Sequence, residues 1–159
     1  MSDTPVPDIH EPTREAAEAL LQRHNVGRLA YMLRNQVEIV PIHYVYESGW
    51  IYVRSAMGQK LIALQGSPWV AFEVDEVESP TSWMSVVVHG TAQLLDPQGP
   101  PREMEALRRA IAALRSADPR ALSEGDSRPE RNFVMRISVN RITARASTPT
   151  GTESSPGGE

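Results

Sequence analysis

Between Val26 and Val53 three β-type stretches, Val26 to Leu33, Val37 to Tyr46 and Trp50 to Val53, are joined only by Arg34-Asn35-Gln36 and Glu47-Ser48-Gly49. A parallel connection needs a crossover of a dozen or more residues, so links this short dictate antiparallel hairpins and predict a meander. Pro41 stands inside the second stretch. Proline has no N–H to give to a ladder, which places Val40-Pro41-Ile42 at a sheet edge, at a bulge, or where something other than a strand lies alongside.

Further along, Val70, Phe72 and Val74 alternate with Ala71, Glu73 and Asp75, the pattern of a half-buried strand. Trp83 to Leu95 is the longest strand candidate, and Phe133, Met135, Ile137 and Val139 mark a closing strand. Asp75 to Pro80 reads as a loop. Helical stretches are expected from Glu11 through His24, from Gln59 to Gln65 after Gly58, and from Arg102 to Ala117, where Met104, Leu107, Ile111 and Leu114 repeat at helical spacing. Asp118 to Glu130 reads as a polar, mobile connection. The expected fold is mainly β, an antiparallel barrel with peripheral helices.

A chain of 159 residues holds one core of ordinary size. Residues 1–10 and 147–159 carry little to bury, which predicts a flexible N-terminus, a folded domain over 11–146 and a disordered tail whose removal leaves the fold intact. No apolar run reaches bilayer length, and the polar start is unlike a signal peptide, so a cytoplasmic protein without membrane partners is expected. A net charge of −4 disfavours a nucleic-acid partner. With no cysteine, and with His10, His24, His43 and His89 lacking ligand spacing, no metal site is expected.

The stretch from Trp50 to Leu61 carries the most chemistry. A strand delivers Arg54 and Ser55 at its end, Gly58 permits a sharp turn, and Gln59 and Lys60 open a helix. A guanidinium, an ammonium, a hydroxyl and helix-start amides together suit a phosphate, while an exposed arginine and a solvated lysine are the bland alternative.

Five motifs in order, Val26-Gly27-Arg28-Leu29-Ala30, Val40 to Tyr46, Ile51 to Ser55 with Gly58-Gln59-Lys60-Leu61, Pro68 to Val74 and Ser82 to Gly90, resemble the pyridoxamine 5′-phosphate oxidase-like, FMN-binding split-barrel superfamily. The resemblance implies a six-stranded antiparallel split barrel and a homodimer with FMN in the clefts between subunits. It places Arg54, Ser55, Gln59 and Lys60 at the FMN phosphate and runs Val40, Pro41 and Ile42 along the isoalloxazine. Trp83 and Ser85 would line the cleft, often from the partner chain.

The stretches Met57-Gly58-Gln59-Lys60 and Met84-Ser85-Val86-Val87 lack the substrate-phosphate arginines of true pyridoxamine phosphate oxidases. The overall pattern is nearer the nitroimidazole-resistance branch, although Arg54 stands where that branch has histidine. The function implied is an FMN-dependent oxidoreductase acting on an unidentified small-molecule substrate, with a nicotinamide nucleotide as a possible electron donor. His43 and His89 are the candidate proton donors. The alternatives are a non-catalytic flavin-binding or sensing module, and a dimeric split barrel that binds deazaflavin, haem or no cofactor.

Overall fold

The computed structural model describes residues 7–149. Their elements run β1 (Asp8–His10), α1 (Arg14–Arg23), β2 (Val26–Leu33), β3 (Gln36–His43), β4 (Val45–Glu47), β5 (Trp50–Ser55), α2 (Gln59–Gly66), β6 (Trp69–Ser79), β7 (Ser82–Leu94), α3 (Pro101–Ala117), β8 (Phe133–Ser138) and β9 (Arg141–Thr148). Every strand pair is antiparallel. The mainly β class expected from the hairpin-length links is the class observed, and no helix among the described residues is long and apolar enough to cross a membrane.

Both early links are tighter than the sequence suggested. Leu33 pairs with Gln36 and Glu47 with Trp50, leaving two-residue turns. Arg34, Asn35, Ser48 and Gly49 all take positive φ, the backbone that matches the right-handed twist of flanking strands.

Among the described residues nine strands replace the six expected. The stretch from Val37 is cut at Tyr44, the closing stretch is cut between Ser138 and Arg141, and β1 is added. Tyr44 is the corner. Its hydroxyl donates to the Leu21 carbonyl at 2.7 Å, its N–H donates to the Asn25 carbonyl at 2.8 Å, and its ring meets Phe72 edge-on at 4.8 Å. The chain therefore leaves β3 and enters β4 on the far side of the barrel instead of continuing a meander.

The strand order is β3-β2-β6-β7-β8-β5-β4, with β9 beside the first part of β7 and β1 beside β9. Among the described residues β3 pairs only with β2, so its outer edge is free along Val40-Pro41-Ile42. β4 reaches only as far as Tyr52 on β5, leaving Val53 to Ser55 without a strand on that side. The opening between these two edges is the split in the barrel. Proline at position 41 fits because no ladder bond is required there.

The main core gathers Leu20, Leu29, Ile51, Phe72, Val86, Val88 and Ile137 among others. A second, smaller cluster packs α3 on the outer face of β5 and β8 through Tyr52, Ala106, Ala110, Leu114 and Val134. The buried stripe of α3 is thus mostly alanine, which brings the helix close to the sheet, while Met104 is turned outward at 38% exposure.

Two other expectations are corrected. Asp75 to Pro80 is not a loop: β6 continues to Ser79, paired residue by residue with β7 up to a register shift after Val77. The end of β6 is held by Glu76, which accepts from Arg23 at 2.6 and 2.9 Å and meets His24 at 2.5 Å. Arg23 and His24 hold the Glu76 carboxyl down to about 2. Because the folded value lies below the unfolded one, this clamp stabilises fully above the ordinary carboxylate range and is lost as pH falls toward 2. The Glu76 side chain is 35% exposed, so screening limits its worth to about 1 kcal/mol. Glu76→Gln is expected to lower stability by that amount at pH 7 and by much less near pH 2, read from urea unfolding at both pH values.

The described part of the termini is also packed. Asp8, Ile9 and His10 pair with Thr148, Ser147 and Ala146, and Ser147, 2% exposed, donates to the Thr81 carbonyl at 3.0 Å. Short polar residues offer little side chain to bury, but backbone pairing needs no large side chain. Residues 1–6 and 150–159 lie outside the described residues. A chain ending at Arg145 is expected to melt about 3–6 °C lower, from roughly 1–2 kcal/mol of lost pairing. An unchanged melting temperature would contradict the docked terminus.

Candidate functional site

The two free strand edges and the start of α2 carry part of the sequence-predicted set. α2 begins at Gln59, its cap residue Gly58 supplies no side-chain hydrogen bond, and no acid stands in its first turn. The first-turn amides and Lys60 therefore meet an incoming anion without a competing carboxylate. Burial and the charge of Arg131 push the half-buried Lys60 ammonium below its ordinary value. Lys60 has no ion-pair partner among the described residues, so an anion held here would relieve both effects.

Arg54 and Ser55 leave β5 on opposite faces, as successive strand residues must. Ser55 follows Ile51 and Val53, which face the main core, and its hydroxyl donates to the Ala56 carbonyl at 3.1 Å. Arg54 follows Tyr52 toward α3. Its guanidinium donates to Asp126 at 2.5 Å and to Asp118 at 3.3 Å, with its side chain only 12% exposed. The expectation that Arg54 and Ser55 act side by side meets the alternation of the strand.

A cavity of about 290 Å³ lies against the corner between β3 and β4, with His43, Arg54, Asp118, Arg128 and Arg131 among its lining residues. The segment expected to be a mobile connection forms one wall of it. Ala121 is 1% exposed, and Arg115 donates to the carbonyls of Ala121 and Leu122 at 2.9 and 3.0 Å. Asp126 is held down to about 2, chiefly by Arg54 and then by the Arg128 N–H. These loop residues were missed in the sequence. Their signal was Asp118-Pro119-Arg120 and Asp126-Ser127-Arg128, in which each aspartate accepts from the N–H two residues on.

The remaining predicted residues divide. Val40, Pro41 and Ile42 run along the free edge of β3, and the exposed His43 follows them into the cavity wall. Trp83 and Ser85 stand on β7, three strands across the same sheet, where Trp83 lines a different groove with Thr13, Glu76 and Ala146. Within one chain they do not join the split. His89 is also away from it, on β7 beside Arg141, whose guanidinium lies 3.4 Å from Nδ1. Among the described residues no cluster of three or more acidic or imidazole ligands could hold a metal.

An antiparallel barrel split between two strand edges, with a cation at the start of α2, defines the class of fold. The family model described as pyridoxamine 5′-phosphate oxidase matches residues 13–146, and the chain belongs to that family. It is similar to a FAD-binding protein of Mesorhizobium loti, 25% identical with a TM-score of 0.70 over 88% of this chain and 99% of that one. A FAD-binding protein of Mycobacterium smegmatis, at 21% identity and TM-score 0.63, shares the fold over 87% of this chain and 100% of its own. So does a Bacteroides thetaiotaomicron protein described as a 5-nitroimidazole antibiotic resistance protein, at 17% identity and TM-score 0.68 over 89% of each chain. Among curated proteins, an uncharacterized protein of Rhizobium meliloti is 34% identical over 83 residues, 52% of this chain and 55% of that relative. The match thus spans about half the length of that relative.

Proposed function

We propose that the chain binds a flavin nucleotide in the split between β3 and β5 and uses it as an oxidoreductase on a small molecule. The observation that carries this reading is Lys60: a half-buried ammonium without an ion-pair partner among the described residues, at the uncapped start of α2, under the charge of Arg131. The donor set suits a phosphate ester. Lys60, Ser55 and the amides of Gln59 and Lys60 would hold the phosphate, and the free edge of Val40-Pro41-Ile42 would run beside the ring. A M. loti relative whose description is FAD-binding supports a flavin, and FMN is the nucleotide we assign.

A bound flavin supplies hydride exchange, and the protein supplies position and electrostatics. His43, in the cavity wall, is the nearer of the two histidines to donate a proton to a reduced product. Anaerobic addition of a nicotinamide nucleotide to the flavin-loaded protein tests the activity. Bleaching of the flavin absorption, followed by reoxidation when an acceptor is added, is the expected result. A flavin that stays oxidised with every nicotinamide nucleotide would contradict the oxidoreductase reading and leave a binding module.

A homodimer in the cytoplasm belongs to the same proposal. Met32, Val37, Ile39 and Trp69 are exposed at 37%, 67%, 66% and 67%, and Met32, Val37 and Trp69 line one shallow apolar depression on the outside of the sheet. Apolar surface of this kind marks an association site, and a second copy could carry Trp83 and Ser85 to the split. Light scattering is expected to give a dimer for the wild type and a monomer for Trp69→Glu. A wild-type monomer at micromolar concentration would contradict the dimer.

A further inference from the structure

The segment between α3 and β8 holds one of its own carboxylates in a built anion site. Asp126 accepts from Arg54 at 2.5 Å and from the backbone N–H groups of Leu122 and Arg128, each at 2.9 Å. Its side chain is 3% exposed. Asp118 gives the same guanidinium a second carboxylate. Arg54 is therefore already satisfied inside the chain, whereas Arg128 and Arg131 line the cavity with no ion-pair partner among the described residues.

The backbone shows that this arrangement is imposed. Leu122 takes φ of 59°, a left-handed conformation costly for a bulky side chain unless its surroundings dictate it. Asp126 takes the Leu122 N–H and Arg115 takes its carbonyl, so the turn is fixed from both sides. Asp126 also takes the Arg128 N–H, which sets the direction in which the chain enters the cavity wall toward Arg131.

We infer that Arg54 is a positioning residue: through Asp126 it fixes this segment so that Arg128 and Arg131 present their guanidiniums to the phosphate of a ligand in the cavity. The identity of that ligand as a flavin nucleotide rests on the function proposed above. The placement of the two arginines does not. Paired guanidiniums grip phosphate oxygens bidentately, and a carboxylate latch sets their geometry before the ligand arrives.

The test measures binding of FMN, riboflavin and inorganic pyrophosphate by calorimetry. The proteins are the wild type, the double variant R128A/R131A, Asp126→Asn and the triple variant, with melting temperatures taken alongside. The double variant should lose the preference for FMN over riboflavin by roughly tenfold or more, and lose pyrophosphate binding with it. Asp126→Asn should reduce the same preference, and adding it to the double variant should change nothing further, because it acts through the two arginines. A general loss of structure would weaken FMN and riboflavin alike and leave their ratio unmoved.

If Asp126→Asn tightens FMN binding, Arg54 is itself the phosphate ligand with Asp126 as its competitor, and the inference is overturned. FMN and pyrophosphate binding unchanged in the double variant overturns it too, as does a wild type that binds neither. Pyrophosphate binding that depends on the two arginines, in a protein that takes up no flavin, upholds the inference and overturns the flavin reading instead.

Discussion

Gly90→Ala is expected to destabilise the protein by about 3 kcal/mol or more, a fall of roughly 6–12 °C in melting temperature. A Cβ at position 90 would overlap the Ser138 carbonyl oxygen and lie 3.4 Å from Cγ2 of Ile137. Neither neighbour can retreat cheaply. β7 changes partner at this point, pairing with β9 up to His89 and with β8 from Ala92. The crossing is tied by the Asn140 N–H to the His89 carbonyl at 3.0 Å and by the Thr91 and Ser138 hydroxyls at 2.8 Å. An added methyl must therefore pry apart backbone that joins both halves of the barrel. Gly66→Ala is the control, since nothing lies within 4 Å of a Cβ there and alanine suits a helix better than glycine. Urea unfolding of Gly90→Ala within about 1 kcal/mol of wild type would show that the crossing is looser than its contacts imply.

Lys60→Ala is expected to weaken FMN binding by about 1.5–3 kcal/mol, one to two decades in dissociation constant, while riboflavin affinity stays nearly unchanged. The loss comes from a charge-assisted contact to a phosphate in a site where the ammonium is half-buried beside Arg131. Removing the ammonium should not harm the fold, because burial and a like charge both act against it. Lys60→Arg should keep part of the affinity, since the charge remains while the geometry changes. Equal loss for FMN and riboflavin would point to damage to the ring site rather than to a phosphate contact.

The sequence made the fold legible where local rules decide it. Links too short for a crossover compelled antiparallel pairing, and the free edge of β3 that borders the split is one of the three settings that Pro41 allowed. Alternation of Val86 and Val88 with Val87 and His89 located β7. What local rules do not carry is the change of sheet within one stretch: the corner at Tyr44 depends on Leu21, Asn25 and Phe72, which all lie far from it along the chain. The extension of β6 through Asp75 and Glu76 was hidden by charge, because Arg23 and His24 arrive from α1 to receive the acid.

Legibility of the site followed the same division. Gln59 and Lys60 were legible as candidates because a helix start is a local feature. Arg54 was found as a residue, but its partners Asp118 and Asp126 lie more than sixty positions away in a stretch whose polarity looked like solvation. Arg128 and Arg131 were passed over for the same reason: a charged loop residue and a cavity-lining one are spelled alike until the loop is folded.

The central claim, that the split between β3 and β5 is a flavin nucleotide site, is tested most directly by the small molecule carried by the purified protein. Native mass spectrometry, with the absorption spectrum of the same sample, should show one FMN per chain, released on denaturation, and a yellow protein. FAD in its place would keep the site and change the nucleotide. A colourless protein that gains no mass after incubation with saturating FMN and FAD would contradict the account.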